Sequence, residues 1–103
     1  MTSALDPKRT VAATQIPEYP DDARPGDCYV NPETFPGRLL FGCPGCGQFT
    51  CIRVASPEPT DARTWGIVAG TPADAATLTL APSILNHCCG WHGYLTAGVF
   101  QSC

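Results

Sequence analysis

Apolar positions along the chain fall in short bursts separated by turn-forming residues, which is the pattern of strands joined by tight turns. Pro25 and Gly26 mark a turn before a short apolar run from Cys28 to Val30. "NPETFPG" is a second turn region. "RLLF", Arg38 to Phe41, predicts a strand running into "CPGCG". "QFTCIRV" places Phe49, Cys51 (or Ile52) and Val54 in alternation with polar residues, as a half-buried return strand would. The two strands form a hairpin with Cys43 and Cys46 at its tip.

Beyond a polar loop, "SPEPTDAR", the segment "TWGIVAG" predicts a strand carrying Trp65, and "TPADAA" a second loop. "TLTLAPSIL" begins as a strand with Leu78 and Leu80 on one face, and Pro82 stops it. "GYL" and "GVF" flank "TAG" as a closing hairpin with Gly98 near its turn. Residues 1–15 are polar and without period and are expected to be weakly ordered. Residues 16–103 then make one mostly β domain, a small hairpin or ribbon-like fold.

Composition narrows this picture. A chain of 103 residues suffices for one domain, and a domain this small often needs a staple. Eleven prolines and ten glycines leave little room for long helices. Six basic against nine acidic residues argue against a nucleic-acid surface, which needs clustered Lys and Arg. The N-terminal stretch has no apolar core of signal-peptide length, and no run is long enough to span a membrane. Seven cysteines in such a chain point to thiolate–metal ligation in a reducing cytoplasm rather than to a disulfide framework.

The spacing of those cysteines suggests the metal. Cys43 and Cys46 bracket two residues, and "CGWH" gives a second pair, Cys89 and His92, with the same gap. Zinc takes four tetrahedral thiolate or imidazole ligands, so Cys43, Cys46, Cys89 and His92 form the expected set. Cys88 or His87 can replace Cys89 or His92 in it. Four protein ligands leave no open position, which favours a structural role and makes the expected domain a zinc-stabilised β-hairpin or zinc-ribbon-like fold. Cys28, Cys51 and Cys103 carry no such spacing and read as small core residues or free thiols. A Cys28–Cys103 disulfide is conceivable, but spacing gives no geometry for it.

One polar cluster stands beside the second ligand pair. If residues 83–87 form a helical turn, Ser83 and His87 share a face, and the imidazole can take the serine proton. Asn86 can then orient a group or donate to an oxyanion. A serine after Pro82 also serves as a helix N-cap, Asn86 fits a turn, and the spacing completes no carboxylate triad. Pattern alone favours that simpler reading.

The motifs "IPEYPDDARPGDCYV", "LLFGCPGCGQF", "TWGIV" and "TLTLAPSILNHCCGWHGYLTAGVF" together, over roughly residues 16–101, resemble a family of small zinc-binding proteins common in tailed phages and prophages. Related proteins of bacterial ubiquitin-like conjugation operons are called BubE and are proposed peptidases. The resemblance implies that Cys43 and Cys46 match the first cysteine turn, Cys89 and His92 the C-x-x-H element, and Ser83 the serine of a Pro-Ser-Ile motif. Asn86 matches an asparagine of some relatives, whereas His87 has no clear counterpart. Should His92 be the base, the metal needs another ligand. The expected function is a serine-type peptidase acting on a ubiquitin-like tail or extended peptide. A non-enzymatic zinc-stabilised protein-binding module, presenting Trp91, Tyr94 and Phe100, is the alternative.

Overall fold

The computed structural model describes residues 10–55 and 64–102. The loop expected over "SPEPTDAR" and the thiol of Cys103 lie outside them. The described residues form ten strands and no helix, so none is long and apolar enough to cross a membrane.

Two sheets divide the strands. The first comprises β1 (Thr10–Ala12), β8 (Ile84–Leu85), β9 (His92–Thr96) and β10 (Val99–Ser102), in the order β1-β10-β9-β8. The second comprises β2 (Thr14–Gln15), β3 (Asp27–Tyr29), β4 (Arg38–Gly42), β5 (Phe49–Ala55), β6 (Thr64–Thr71) and β7 (Asp74–Ala81), in chain order. The first sheet is wholly antiparallel; in the second, β2–β3 and β5–β6 run parallel. The chain changes sheets at Ala13, which is buried and whose N–H donates to Gly98 O at 2.8 Å. Thr10–Ala12 and Thr14–Gln15, within the segment expected to be weakly ordered, are strands: their backbone joins both sheets, Val11 and Ala13 pack into the core, and Gln15 Oε1 accepts from the Ala75 N–H at 2.8 Å.

Alternation explains which side chains fill the space between the sheets. Leu39, Phe41 and Ile52 come from one sheet, and Ile84, Leu95 and Phe100 from the other. Phe41 and Phe100 stack across the interface at 5.2 Å between centroids and 22°, and the Trp91 ring meets Phe100 edge-on at 6.0 Å. Truncating a fully buried ring leaves a cavity that the two sheets cannot close. Phe100→Ala is expected to cost about 3–5 kcal/mol in urea unfolding.

The expected β4–β5 hairpin forms with the cysteine turn at its tip, but Cys51 faces out and Ile52 faces in. "TPADAA" is mostly strand, since β7 already begins at Asp74, opposite Thr71. Leu78 and Leu80 are both buried and β7 ends before Pro82, as expected. The last hairpin turns at Ala97 and Gly98, with φ of 47° and 78°. Two successive positive φ angles match a type I′ turn, which is why a glycine stands there.

The short β8–β9 ladder positions the site. Ile84 pairs with Gly93 and Leu85 with His92. Side chains alternate, so Ile84, Gly93 and Leu95 turn inward while Leu85, His92 and Tyr94 turn outward, and the burial follows this pattern. Extending the register by one residue puts Ser83 on the same outward face.

Candidate active site and cysteine cluster

Ser83 and His92 lie diagonally across β8–β9, and the ladder brings their side chains into contact. Ser83 Oγ stands 2.9 Å from His92 Nε2. Trp65, on β6, donates its indole Nε1–H to the carbonyl of Ser83 at 3.0 Å and fixes the serine backbone from the other sheet. His92 is exposed and Ser83 half-buried, so a substrate can approach both. Among the described residues no carboxylate is paired with His92.

The other expected members of this group fall elsewhere. Residues 83–87 do not form a helical turn, because Ile84–Leu85 is a strand, and the extended backbone carries His87 away from Ser83. His87 sits exposed in the β8–β9 loop. Asn86 shares the inward parity of Ile84 and is buried at 4% exposure, facing away from Ser83. Trp91 and Phe100 are buried, so of the three aromatics considered for a binding face only Tyr94 is exposed.

The loop between β8 and β9 carries the second half of the cysteine cluster. The sulphurs of Cys43, Cys46, Cys88 and Cys89 all lie within 4.8 Å of one another. Cys43 and Cys89 are 3.6 Å apart, and Cys46 and Cys88 3.3 Å. The expected ligand set differs from this grouping in one place: Cys88 stands where His92 was expected, and His92 is turned to Ser83. Two backbone hydrogen bonds close the loop, Asn86 N–H to Trp91 O and Gly90 N–H to Asn86 O, both at 2.8 Å. The Trp91 indole anchors it further by donating to Ser102 Oγ at 2.9 Å. Gly45 is required between the first cysteines, since a Cβ there would lie 2.7 Å from Cys89 Sγ.

The cluster fits a thiophilic cation. Tetrahedral bonds of about 2.3 Å to zinc would set sulphurs roughly 3.8 Å apart, within the observed spread. Without a cation the thiols resist joint ionisation. Desolvation and the neighbouring sulphurs of Cys46 and Cys43 push Cys88 up to about 12. Desolvation also opposes ionisation of Cys43, but the Asn86 side chain and the amides of Cys46 and Gly45 outweigh it and bring that thiol down to about 7. The Gly45 N–H lies 3.4 Å from Cys43 Sγ. Asn86 Nδ2 is buried with no partner that meets hydrogen-bond geometry, so it remains a spare donor beside Cys43. Four cysteines placed this way can hold a metal ion.

The remaining described cysteines are of two kinds. Cys28 is a free thiol, fully buried, donating to Gly26 O, and burial with the nearby Asp27 charge pushes it up to about 12. Cys51 is free and exposed. At pH 8 iodoacetamide is expected to alkylate Cys51 and leave Cys28 unmodified, read by peptide mapping of the folded protein. A thiol held protonated and out of solvent is a poor nucleophile.

The fold and the site together define a small two-sheet β domain with an outward serine–histidine pair beside a four-cysteine cluster. The chain belongs to the BubE family, described as the bacterial ubiquitination-like system serine proteases, and matches the family model over residues 15–103. Comparison with curated proteins and with solved structures gives no match.

Proposed function

We propose that this protein is a serine peptidase that cleaves an extended peptide segment, the tail of a ubiquitin-like protein being its substrate, and that zinc held by Cys43, Cys46, Cys88 and Cys89 is its structural metal. The observation that carries the reading is the 2.9 Å contact between Ser83 Oγ and His92 Nε2. A serine hydroxyl is a weak nucleophile until a neighbouring base takes its proton. His92 Nε2 accepts that proton as Ser83 Oγ attacks the scissile carbonyl. The resulting imidazolium returns the proton to the leaving amine, and an acyl-serine remains. Water, deprotonated by the same nitrogen, then releases the acyl group and restores Ser83. Family membership supports the serine chemistry and the ubiquitin-like setting.

The metal would serve placement: bound by four sulphurs it has no vacant position, and it would fix the loop whose last residue precedes His92. Asn86 belongs with the metal ligands rather than with the oxyanion, because its side chain is on the inner face. The partner is a protein or peptide, as the ubiquitin-like setting of the family supports.

The reading is tested by incubating the protein with a C-terminally extended ubiquitin-like precursor from a bacterial conjugation operon, and separately with a fluorophosphonate probe. Truncation of the precursor and covalent labelling at Ser83 are expected. Cleavage that persists in Ser83→Ala would overturn the serine mechanism, and absence of both cleavage and labelling would overturn the enzymatic reading.

A further inference from the structure

A groove of about 760 Å³ runs between a wall from β4 and β5 and a wall from β8 and its loop, and its lining includes Trp65, whose indole holds the Ser83 carbonyl. Two features of it point to a ligand, and the first is unpaired backbone. Among the described residues, Phe49–Ile52 of β5 pair with β4 alone, and the parallel pairing with β6 covers Arg53–Ala55. The bonds Cys43 N–H to Gln48 O and Val54 N–H to Gly37 O fix the phase of the β4–β5 ladder. Antiparallel hydrogen bonds alternate, so the N–H and C=O of Cys51 point away from β4, toward the groove. Among the described residues, β8 is the edge of its own sheet. The bond Asn86 N–H to Trp91 O sets its phase, which leaves the N–H and C=O of Leu85 pointing away from β9. Ser83 O has the same phase and is already taken by Trp65. Leu85, Cys51 and Trp65 all line the groove.

The second feature is charge. Arg38 and Arg53 stand directly opposite each other on β4 and β5 and both line the groove. By the same phase they are a non-hydrogen-bonded pair, the closer kind, and like charges so placed destabilise a sheet. Among the described residues no carboxylate is paired with them and no acidic residue lines the groove, and the contact of Arg38 Nη1 is to Cys51 Sγ at 3.9 Å. They are two of the three arginines among the described residues of a chain with net charge −3. His87 lines the opposite wall.

We infer that the groove receives an extended peptide by strand addition to the free edge of β8, and that Arg38 and Arg53 recognise a carboxylate on that peptide. Main-chain bonds to Leu85 hold the peptide alongside β8. Trp65 ends the ladder at Ser83, so the peptide passes the serine where its backbone is no longer engaged by β8. The two guanidiniums, across the groove, select for negative charge some residues from that point. This inference rests on the peptidase reading for its substrate, but binding tests it separately.

Four fluorescent octapeptides of Thr, Ala and Gly are titrated into the metal-loaded protein at low salt. One carries a glutamate and an amidated C-terminus, one a free C-terminal carboxylate without glutamate, one neither charge, and one repeats the tightest binder with alternate N-methyl amides. At least one acidic peptide is expected to bind tenfold or more tighter than the neutral one, and which of the two does so identifies the carboxylate as a side chain or a terminus. Arg38→Gln and Arg53→Gln are expected to erase that preference, N-methylation to abolish binding, and the Leu85 amide to shift in ¹⁵N spectra. Equal affinity for acidic and neutral peptides, or an unaffected N-methyl peptide, or no binding at millimolar concentration, would overturn the inference. Binding as expected without hydrolysis would instead count against the peptidase reading, and hydrolysis indifferent to charge would leave that reading standing while removing this one.

Discussion

Ser83→Ala is expected to lower peptide hydrolysis by about a thousandfold or more while leaving the fold and the metal content unchanged. The serine side chain touches His92 and is only half-buried, so removing its oxygen opens no core cavity. His92→Gln is expected to cause a loss of similar size, and the double variant to be no worse than either single one, because nucleophile and base act as a unit. His92→Gln also separates the two roles that the C-x-x-H spacing offers this residue. A histidine ligand, once replaced, would lower the zinc stoichiometry and the melting temperature; a base would lower turnover alone. Retained zinc with lost turnover is the expected result. Zinc lost from His92→Gln but retained in Cys88→Ser would reverse the assignment.

Removal of the metal is expected to have the largest effect on the fold. The cluster joins the turn between β4 and β5 to the loop between β8 and β9, with one pair of sulphurs from each. Structural zinc in small domains supplies about 10 kcal/mol or more of binding free energy, comparable with the whole stability of a domain this size. Chelation, or Cys46→Ser or Cys88→Ser, is expected to lower the melting temperature sharply and to abolish turnover together with it. Restoring the protein with Cd²⁺ discriminates scaffold from catalyst. Full recovery of fold and turnover, with the ultraviolet absorbance of a cadmium–thiolate centre, is expected of a metal that only holds the loop. Recovery of the fold without turnover would give the metal a part in the reaction.

Local alternation made most strands legible, as in "RLLF", "TLTL" and the closing hairpin at Gly98. The division into two sheets was not, because it depends on pairings such as Thr10 with Gln101 that leave no local mark. Nor did the short segment Thr10–Ala12 show that its backbone would complete a sheet. At the site, the regular two-residue gap drew attention to His92 and away from Cys88. A signal for the alternative was nonetheless in the sequence. If "HGYLT" is a strand, His92 and Tyr94 share a face opposite Gly93 and Leu95, and the same rule applied to "PSILN" puts Ser83 and Leu85 opposite Ile84 and Asn86. The histidine then faces the serine and not the cysteine turn. Cys88 and Cys89 are adjacent and would diverge in a strand, but they sit in a tight loop where successive side chains can reach one ion. The helical turn expected over 83–87 obscured this, since it gave Ser83 and His87 a shared face that an extended backbone does not.

The contact between Cys46 and Cys88 spans 42 residues of chain, whereas Ser83 and His92 are only nine apart. A cross-link closing a loop of that length removes entropy from the unfolded chain worth on the order of 4 kcal/mol. A newly made chain thus holds its nucleophile and base close together in sequence long before anything restrains the loop between them. On the function proposed above, metal loading would be the event that switches the peptidase on, and a cell short of that metal would accumulate the protein as an inert chain.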